Sequence, residues 1–206
     1  MDNHLDKRVA VLDELIKKRI NNVDLSGEYT HIRGYHGCRP ISIDNYYQNG
    51  IKPIEKEFAK REAIFRLCDQ WITEEKVIDR FNKSWDALKH PHKSVWLTYS
   101  ENEFFDVSGH YLIYGSEFLC GMAAQLFCQP NLKRLGIPTI FHCDIPLQNI
   151  PEAYLSGINQ QICMRDSSGG FRVYGEVLAE EIVGHSHPKT IFDPLTSSTY
   201  CYKAQR

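Results

Sequence analysis

Two short runs carry the residue types that could act on a small polar ligand. The first is Tyr35-His36-Gly37-Cys38-Arg39, followed thirteen residues after the glycine by Gly50-Ile51. A histidine at a strand end, beside a glycine whose backbone a ligand can approach closely, suits a polar, ring-bearing molecule. The second runs from Ser108-Gly109-His110-Tyr111 through Tyr114-Gly115-Ser116-Glu117 to Phe118. The faces of Tyr111 and Tyr114 can stack on planar rings, and Ser116, at the start of a helix, can cap it or touch a ligand. Each run also has a plain structural reading. The histidine then has a satisfied hydrogen bond, the tyrosines are packing and the serine is only a cap.

Taken together, the two runs resemble the ADP-ribosyltransferase family, in the branch with a His-Gly strand and a later Gly-x-Tyr strand leading into a serine-containing helix. The likeness runs in order from about residue 28 to residue 185 and rests on a handful of positions. It implies an α+β fold with split mixed or antiparallel sheets, and NAD as the substrate. By this resemblance His36 hydrogen-bonds the NAD ribose, the Gly37 backbone grips the nicotinamide carboxamide, Tyr111 stacks on the nicotinamide and Ser116 assists, with Tyr114 in the same binding set. Arg39 would meet the pyrophosphate, its other reading being a solvated turn arginine. The implied reaction breaks the nicotinamide–ribose bond and passes ADP-ribose to a protein, RNA or DNA acceptor. The implied setting is an intracellular toxin or defence effector, with an antitoxin protein as a further partner.

The family's third hallmark is a glutamate that steadies the positive charge developing as nicotinamide leaves, since glycosidic cleavage passes through an oxocarbenium-like state. Here the run Gly169-Gly170-Phe171-Arg172-Val173-Tyr174 reads as the relevant strand, but glycine stands where glutamate is expected. Glu176, two residues beyond, is the nominee, with Glu117, Glu180 and Glu181 as further candidates. If none reaches the site, transfer is slow or the chain is a non-catalytic nucleotide-binding module of the same fold. An unrelated α+β hydrolase is the third reading.

Other chemistry finds less support. The pairs His90/His92 and His185/His187 each put two imidazoles on one side of an extended segment, yet no cysteine or carboxylate cluster completes a tetrahedral metal set, so no metal is expected. His142 and Asp144 read as structural, because no Gly-x-Ser-x-Gly elbow is present. Phosphate-binding glycine fingerprints are missing too. Seven scattered cysteines without a Cys-x-x-Cys pair read as reduced thiols.

The elements that would position these residues follow from periodicity. Leu5, Val9, Leu12, Leu15, Ile16 and Ile20 predict an amphipathic first helix within residues 1–27, with basic residues on its other face. A strand follows from Glu28 to Pro40, then a short helix, Ile43 to Gln48, opened by Ser42 and stopped by Asn49-Gly50. Residues 54–89 form a helical insertion of two helices with a fresh start at Thr73. One carries Phe58, Phe65, Cys68 and Trp71, the other Ile78, Phe81, Trp85 and Leu88. Beyond it, strands are expected over Ser94–Tyr99, His110–Tyr114, Pro138–Ile145 and Phe171–Tyr174 and near Ile182, with helices over Glu117–Phe127 and Glu152–Met164.

Composition limits the setting. The 206 residues are 42% apolar and 24% charged, which suits one folded domain spanning 1–206, and no repeat or linker marks a second. With a net charge of −2, no whole-molecule basic field draws the chain to nucleic acid or anionic lipid. A nucleic-acid acceptor would need a local basic channel, to which the first helix and Asn131-Leu132-Lys133-Arg134 contribute, with Tyr46 or Tyr47 to stack on a base. The start lacks a secretory h-region and no stretch is apolar enough to span a bilayer, so a cytoplasmic protein without a membrane partner is expected.

Overall fold

In a computed structural model that describes residues 6–20, 22–89 and 94–203, the chain is arranged about one eight-residue strand. It opens with strand β1 (Val9–Ala10), helix α1 (Leu12–Lys17) and a single turn, α2 (Leu25–Glu28), before entering that strand, β2 (His31–Cys38). Then come α3 (Asp44–Asn49), α4 (Lys56–Leu67), α5 (Glu74–Ala87) and β3 (Trp96–Thr98). Four short helices follow: α6 (Glu103–Asp106), α7 (His110–Tyr114), α8 (Glu117–Gln125) and α9 (Gln129–Leu132). The chain continues through β4 (Thr139–Pro146), α10 (Glu152–Leu155), α11 (Ile158–Met164), β5 (Gly170–Arg172) and β6 (Ile182–Ser186), and ends in a hairpin of β7 (Thr190–Asp193) and β8 (Ser198–Cys201).

The main sheet has the order β5-β3-β2-β4-β6, every neighbour antiparallel. β1 adds a parallel pair with β2, through Val9 opposite His31, so the sheet is mixed. β3 meets β2 at Tyr35. The two short strands therefore bond successive stretches of β2, while β4 pairs with all eight of its residues. The result is a single-domain α+β fold.

Alternation along β2 divides the core in two. Ile32 joins Leu97, Phe141, Cys143, Ile145 and Phe171 in a cluster roofed by Leu12, Leu15, Ile158 and Ile162 of α1 and α11. Tyr35 and Ile140 lie on the opposite face, under Ala63, Leu67, Phe81, Leu112, Ile113 and Met122 of the helical layer. Both faces of the sheet are thus covered. Gly34 and Gly37 are where rings settle onto the strand. A Cβ on Gly34 would come within 2.8 Å of Phe171, and one on Gly37 within 2.3 Å of Phe104.

Several expected elements hold. β2 lies inside its predicted run, α3 stops at Gly50 with φ 73°, and Thr73 Oγ1 accepts from the Lys76 N–H at the start of α5. Others need correction. The N-terminal helix is only α1, because Val9 and Ala10 are drawn into strand pairing; Leu5 lies outside the described residues. In the helical insertion α4 buries Ala59, Ala63 and Leu67, leaving Phe58, Phe65 and Trp71 exposed. Residues 110–114 are helix α7, not a strand. Leu112, Ile113 and Tyr114 are buried in succession, and Gly115, with φ 90°, ends the turn. The helix expected over Glu152–Met164 is broken into α10 and α11. The β7–β8 hairpin was not predicted.

At one end of β2, Asp144 accepts a hydrogen bond from Arg33 and lies 2.9 Å from Lys7 Nζ. Burial acts to raise its pKa, but these two cations outweigh burial and hold the carboxyl below the ordinary carboxylate range. The stability it contributes is therefore complete above pH ~4 and lost as pH falls through the depressed folded value. Asp144→Asn should lower stability by about 1–2 kcal/mol at pH 7, with the gap to wild type closing below pH ~4 in urea titrations at stepped pH. A gap unchanged down to pH ~2 would show that the loss is not electrostatic.

Candidate functional site

The site begins with His36. Register places it in a row with Leu97 on β3 and Phe141 on β4, and Phe171 and His185 extend that row outward. Its side chain therefore projects from the face that carries the Phe141 cluster. Nδ1 lies 3.0 Å from the carbonyl oxygen of Trp96, which can only accept, so Nδ1 carries the proton. Burial lowers the pKa of His36, keeping the ring neutral at pH 7. Its Nε2 is then a hydrogen-bond acceptor suited to a hydroxyl group.

The segment after β2 folds back over the same face. Tyr46 on α3 stacks on Phe141, ring centroids 4.6 Å apart, and hydrogen-bonds the Cys38 thiol. Burial pushes that thiol up to about 12, so it stays protonated. The Tyr47 hydroxyl lies 2.7 Å from Nδ1 of His185. Gly50 turns the chain, and Ile51 pairs with Val177 through reciprocal backbone bonds of 2.8 and 2.9 Å. A Cβ on Gly50 would stand 2.2 Å from the Val177 carbonyl oxygen. Ile51 and Val177 are both buried in the Phe141 cluster. Glu176, next to Val177 and solvent-exposed, is thereby tethered to the segment that leaves His36.

The remaining candidates are placed elsewhere. Tyr111 is in α7 and packs with the opposite core, its hydroxyl donating to Glu117 Oε2 at 3.0 Å. Tyr114 is buried, donating to Asp193 Oδ2 at 2.6 Å beneath Lys133. Ser116 Oγ accepts from the Leu119 N–H and caps α8. The backbone of Gly37 is overlain by Phe104 on that same face. Arg39 is not a solvated turn residue. It is 3% exposed and donates to the carbonyls of Leu135, Leu112 and Lys133 and to the Tyr200 hydroxyl. Its guanidinium is spent on the fold.

Of the other glutamates, Glu181 is buried and Glu180 exposed. Glu181 Oε2 accepts from the Leu178 N–H at 2.8 Å, and burial raises its pKa, so it closes its own turn. His185 and His187 lie with ring centroids 4.7 Å apart, and His187 Nδ1–H donates to the Pro138 carbonyl. His90 and His92 fall outside the described residues. Among the described residues, no three histidine, cysteine, aspartate or glutamate side chains gather as metal ligands.

One polar group went unread in the sequence. Ser186 Oγ donates to Glu101 Oε1 at 2.5 Å, and Nε2 of His142 lies 3.5 Å from the other oxygen of that carboxylate. The His142 ring meets Tyr35 edge-on at 5.2 Å. Sheet pairing sets His142 of β4 near Ser186 of β6, and Glu101 reaches them from the turn after β3; no local spacing signals that.

Because one fork of donors serves three carbonyls, a lysine at position 39 cannot replace it. Arg39→Lys is expected to cost about 2–4 kcal/mol, read from the shift in denaturation midpoint. A loss under about 0.5 kcal/mol would show that water serves those carbonyls equally well. Compared with known proteins, the chain matches no family model, and no curated protein or solved structure is significantly similar to it.

Proposed function

We propose that this chain is an ADP-ribosyltransferase-type enzyme that uses NAD, with His36 and Glu176 as its working pair. The observation that carries the reading is the Ile51–Val177 bridge, which tethers an exposed carboxylate to the chain that leaves the His36 strand, on the face where His36 projects. A neutral imidazole with Nε2 as acceptor suits a ribose hydroxyl, and an exposed carboxylate suits the cation formed at C1′.

The C1′–N1 bond breaks with its electron pair going to nicotinamide, which leaves neutral. The acceptor then bonds to C1′ and releases its proton. A serine hydrolase fits less well. In the Ser186–Glu101–His142 group the carboxylate stands between serine and histidine, whereas that chemistry needs the imidazole beside the hydroxyl. The acceptor, protein or nucleic acid, the toxin or defence role and an antitoxin partner belong to the same proposal. Among the described residues no helix is long and apolar enough to cross a membrane.

The test is incubation of purified protein with NAD while nicotinamide release and the fate of labelled ADP-ribose are followed. Glu176→Gln should slow release by about 100-fold or more, His36→Ala should weaken NAD binding, and Tyr111→Phe should release nicotinamide at the wild-type rate. No release together with no saturable NAD binding would end the reading. Undiminished release by Glu176→Gln would move the electrostatic role to another carboxylate.

A further inference from the structure

Two cavities adjoin at Arg134 and Leu135. One, of about 170 Å3, is lined by Lys133, Lys203, Tyr200 and Tyr202 together with the buried Arg39. The other, of about 270 Å3, is lined by Phe65, Arg66 and Cys68. Five cationic side chains line the two, and no carboxylate does. Arg66 pairs with Glu62 and Lys133 lies 3.7 Å from Asp193 behind the lining, so in a chain of net charge −2 the cavity walls themselves still present an excess of cations.

Arg66 adds a more specific observation. Its side chain is only 7% exposed. Nε donates to Glu62 and Nη2 to the Arg39 carbonyl, but Nη1 is buried with no hydrogen-bond partner among the described residues. A buried cationic donor left unpaired is unfavourable, and the natural remedy on a cavity wall is an anionic oxygen from a ligand. Phe65, on the same wall, is 60% exposed, although its helix has smaller residues to bury. An exposed ring beside a guanidinium with one unsatisfied nitrogen matches the alternation of base and phosphate in a nucleic acid strand.

Size separates an extended ligand from a compact one. Each cavity is smaller than the roughly 300–1,000 Å3 that encloses a whole small molecule, so each takes a group rather than a ligand. Two in series, sharing Arg134, take successive groups of one chain. We propose that these cavities form a binding groove for single-stranded nucleic acid, with phosphates on Arg66, Arg134, Lys133 and Lys203 and a base stacked on Phe65. The groove does not depend on the NAD reading, because it is assayed without NAD.

The experiment is fluorescence anisotropy of a labelled oligouridine of about ten nucleotides with the full chain at stepped salt, using adenosine monophosphate and inorganic phosphate as competitors. The exposed positions Arg134 and Phe65 carry the test, each variant being checked by thermal melting, since Arg66 also holds the Arg39 carbonyl. Arg134→Glu should weaken binding about tenfold or more and make the log–log salt slope shallower by about 0.7, and Phe65→Ala should weaken it about fivefold or more. Lys83→Glu, an equal change of charge at an exposed position of α5, should leave binding unaltered. The proposal is overturned by no saturable binding at low salt, by wild-type binding of Arg134→Glu and Phe65→Ala, or by an equal loss in Lys83→Glu. Displacement by the mononucleotide as effective as by unlabelled oligonucleotide would assign the cavities to free nucleotides instead.

Discussion

The constraint on which the structure depends is that β2 is bonded along both edges and covered on both faces. β4 takes all eight of its residues, while β1 and β3 pair with successive parts of its other edge. Little of such a strand faces solvent, and half of its residues are fully buried in a packed layer above or below it. Gly34 and Gly37 leave room for Phe171 and Phe104 on opposite faces. Tyr35 and His36, adjacent in sequence, belong to different layers. Chemistry that looks local in the sequence is thereby divided across a sheet.

That division explains why neighbouring polar residues have unlike fates. Arg39, one residue past β2, turns into the helical side and finds three carbonyls and a phenol, so that every nitrogen of its planar fork has a partner. Arg66 donates to the carbonyl of that same residue, yet keeps one nitrogen unpaired. The two guanidiniums are both buried and linked through one peptide group, but only that of Arg39 has a partner at every nitrogen. Net charge, near zero and negative, reports neither. What matters is how many acceptors the backbone leaves within reach of each.

Much of the frame was legible in the residues. The β-type run around His36 gives β2, Gly50 ends α3, and Thr73 starts α5, each by a local rule that tertiary context does not overturn. Where the reading failed, the deciding term was non-local or degenerate. Val9 and Ala10 fit a helical period but are captured by the edge of β2. His110–Tyr114 is a short apolar run that periodicity cannot divide between strand and helix, and the glycines on either side were the better guide. On α4 the apolar positions were taken to be the large ones, but the buried stripe is alanine and leucine. In the candidate site, His36 was nominated from its place beside Gly37, which the structure puts inside β2, and Glu176 from its place two residues beyond the Phe171–Tyr174 run. The second motif could not be judged, because its role depends on which face of the sheet α7 covers.

An exposed carboxylate such as Glu176 is a weak electrostatic device while water surrounds it, since the high dielectric screens its field. Its effect on a developing cation grows when a ligand excludes that water. Under the proposed function the surroundings suit this. Tyr46 and Tyr47 cover Phe141 and His185, and the Ile51–Val177 bridge holds the backbone next to Glu176 without burying the side chain. Burying the carboxylate beforehand, as the fold does with Glu181, raises its pKa and commits it to a backbone N–H. Under the proposed function, a residue that meets a transient positive charge is better held exposed on a fixed backbone, and Glu176 is so placed.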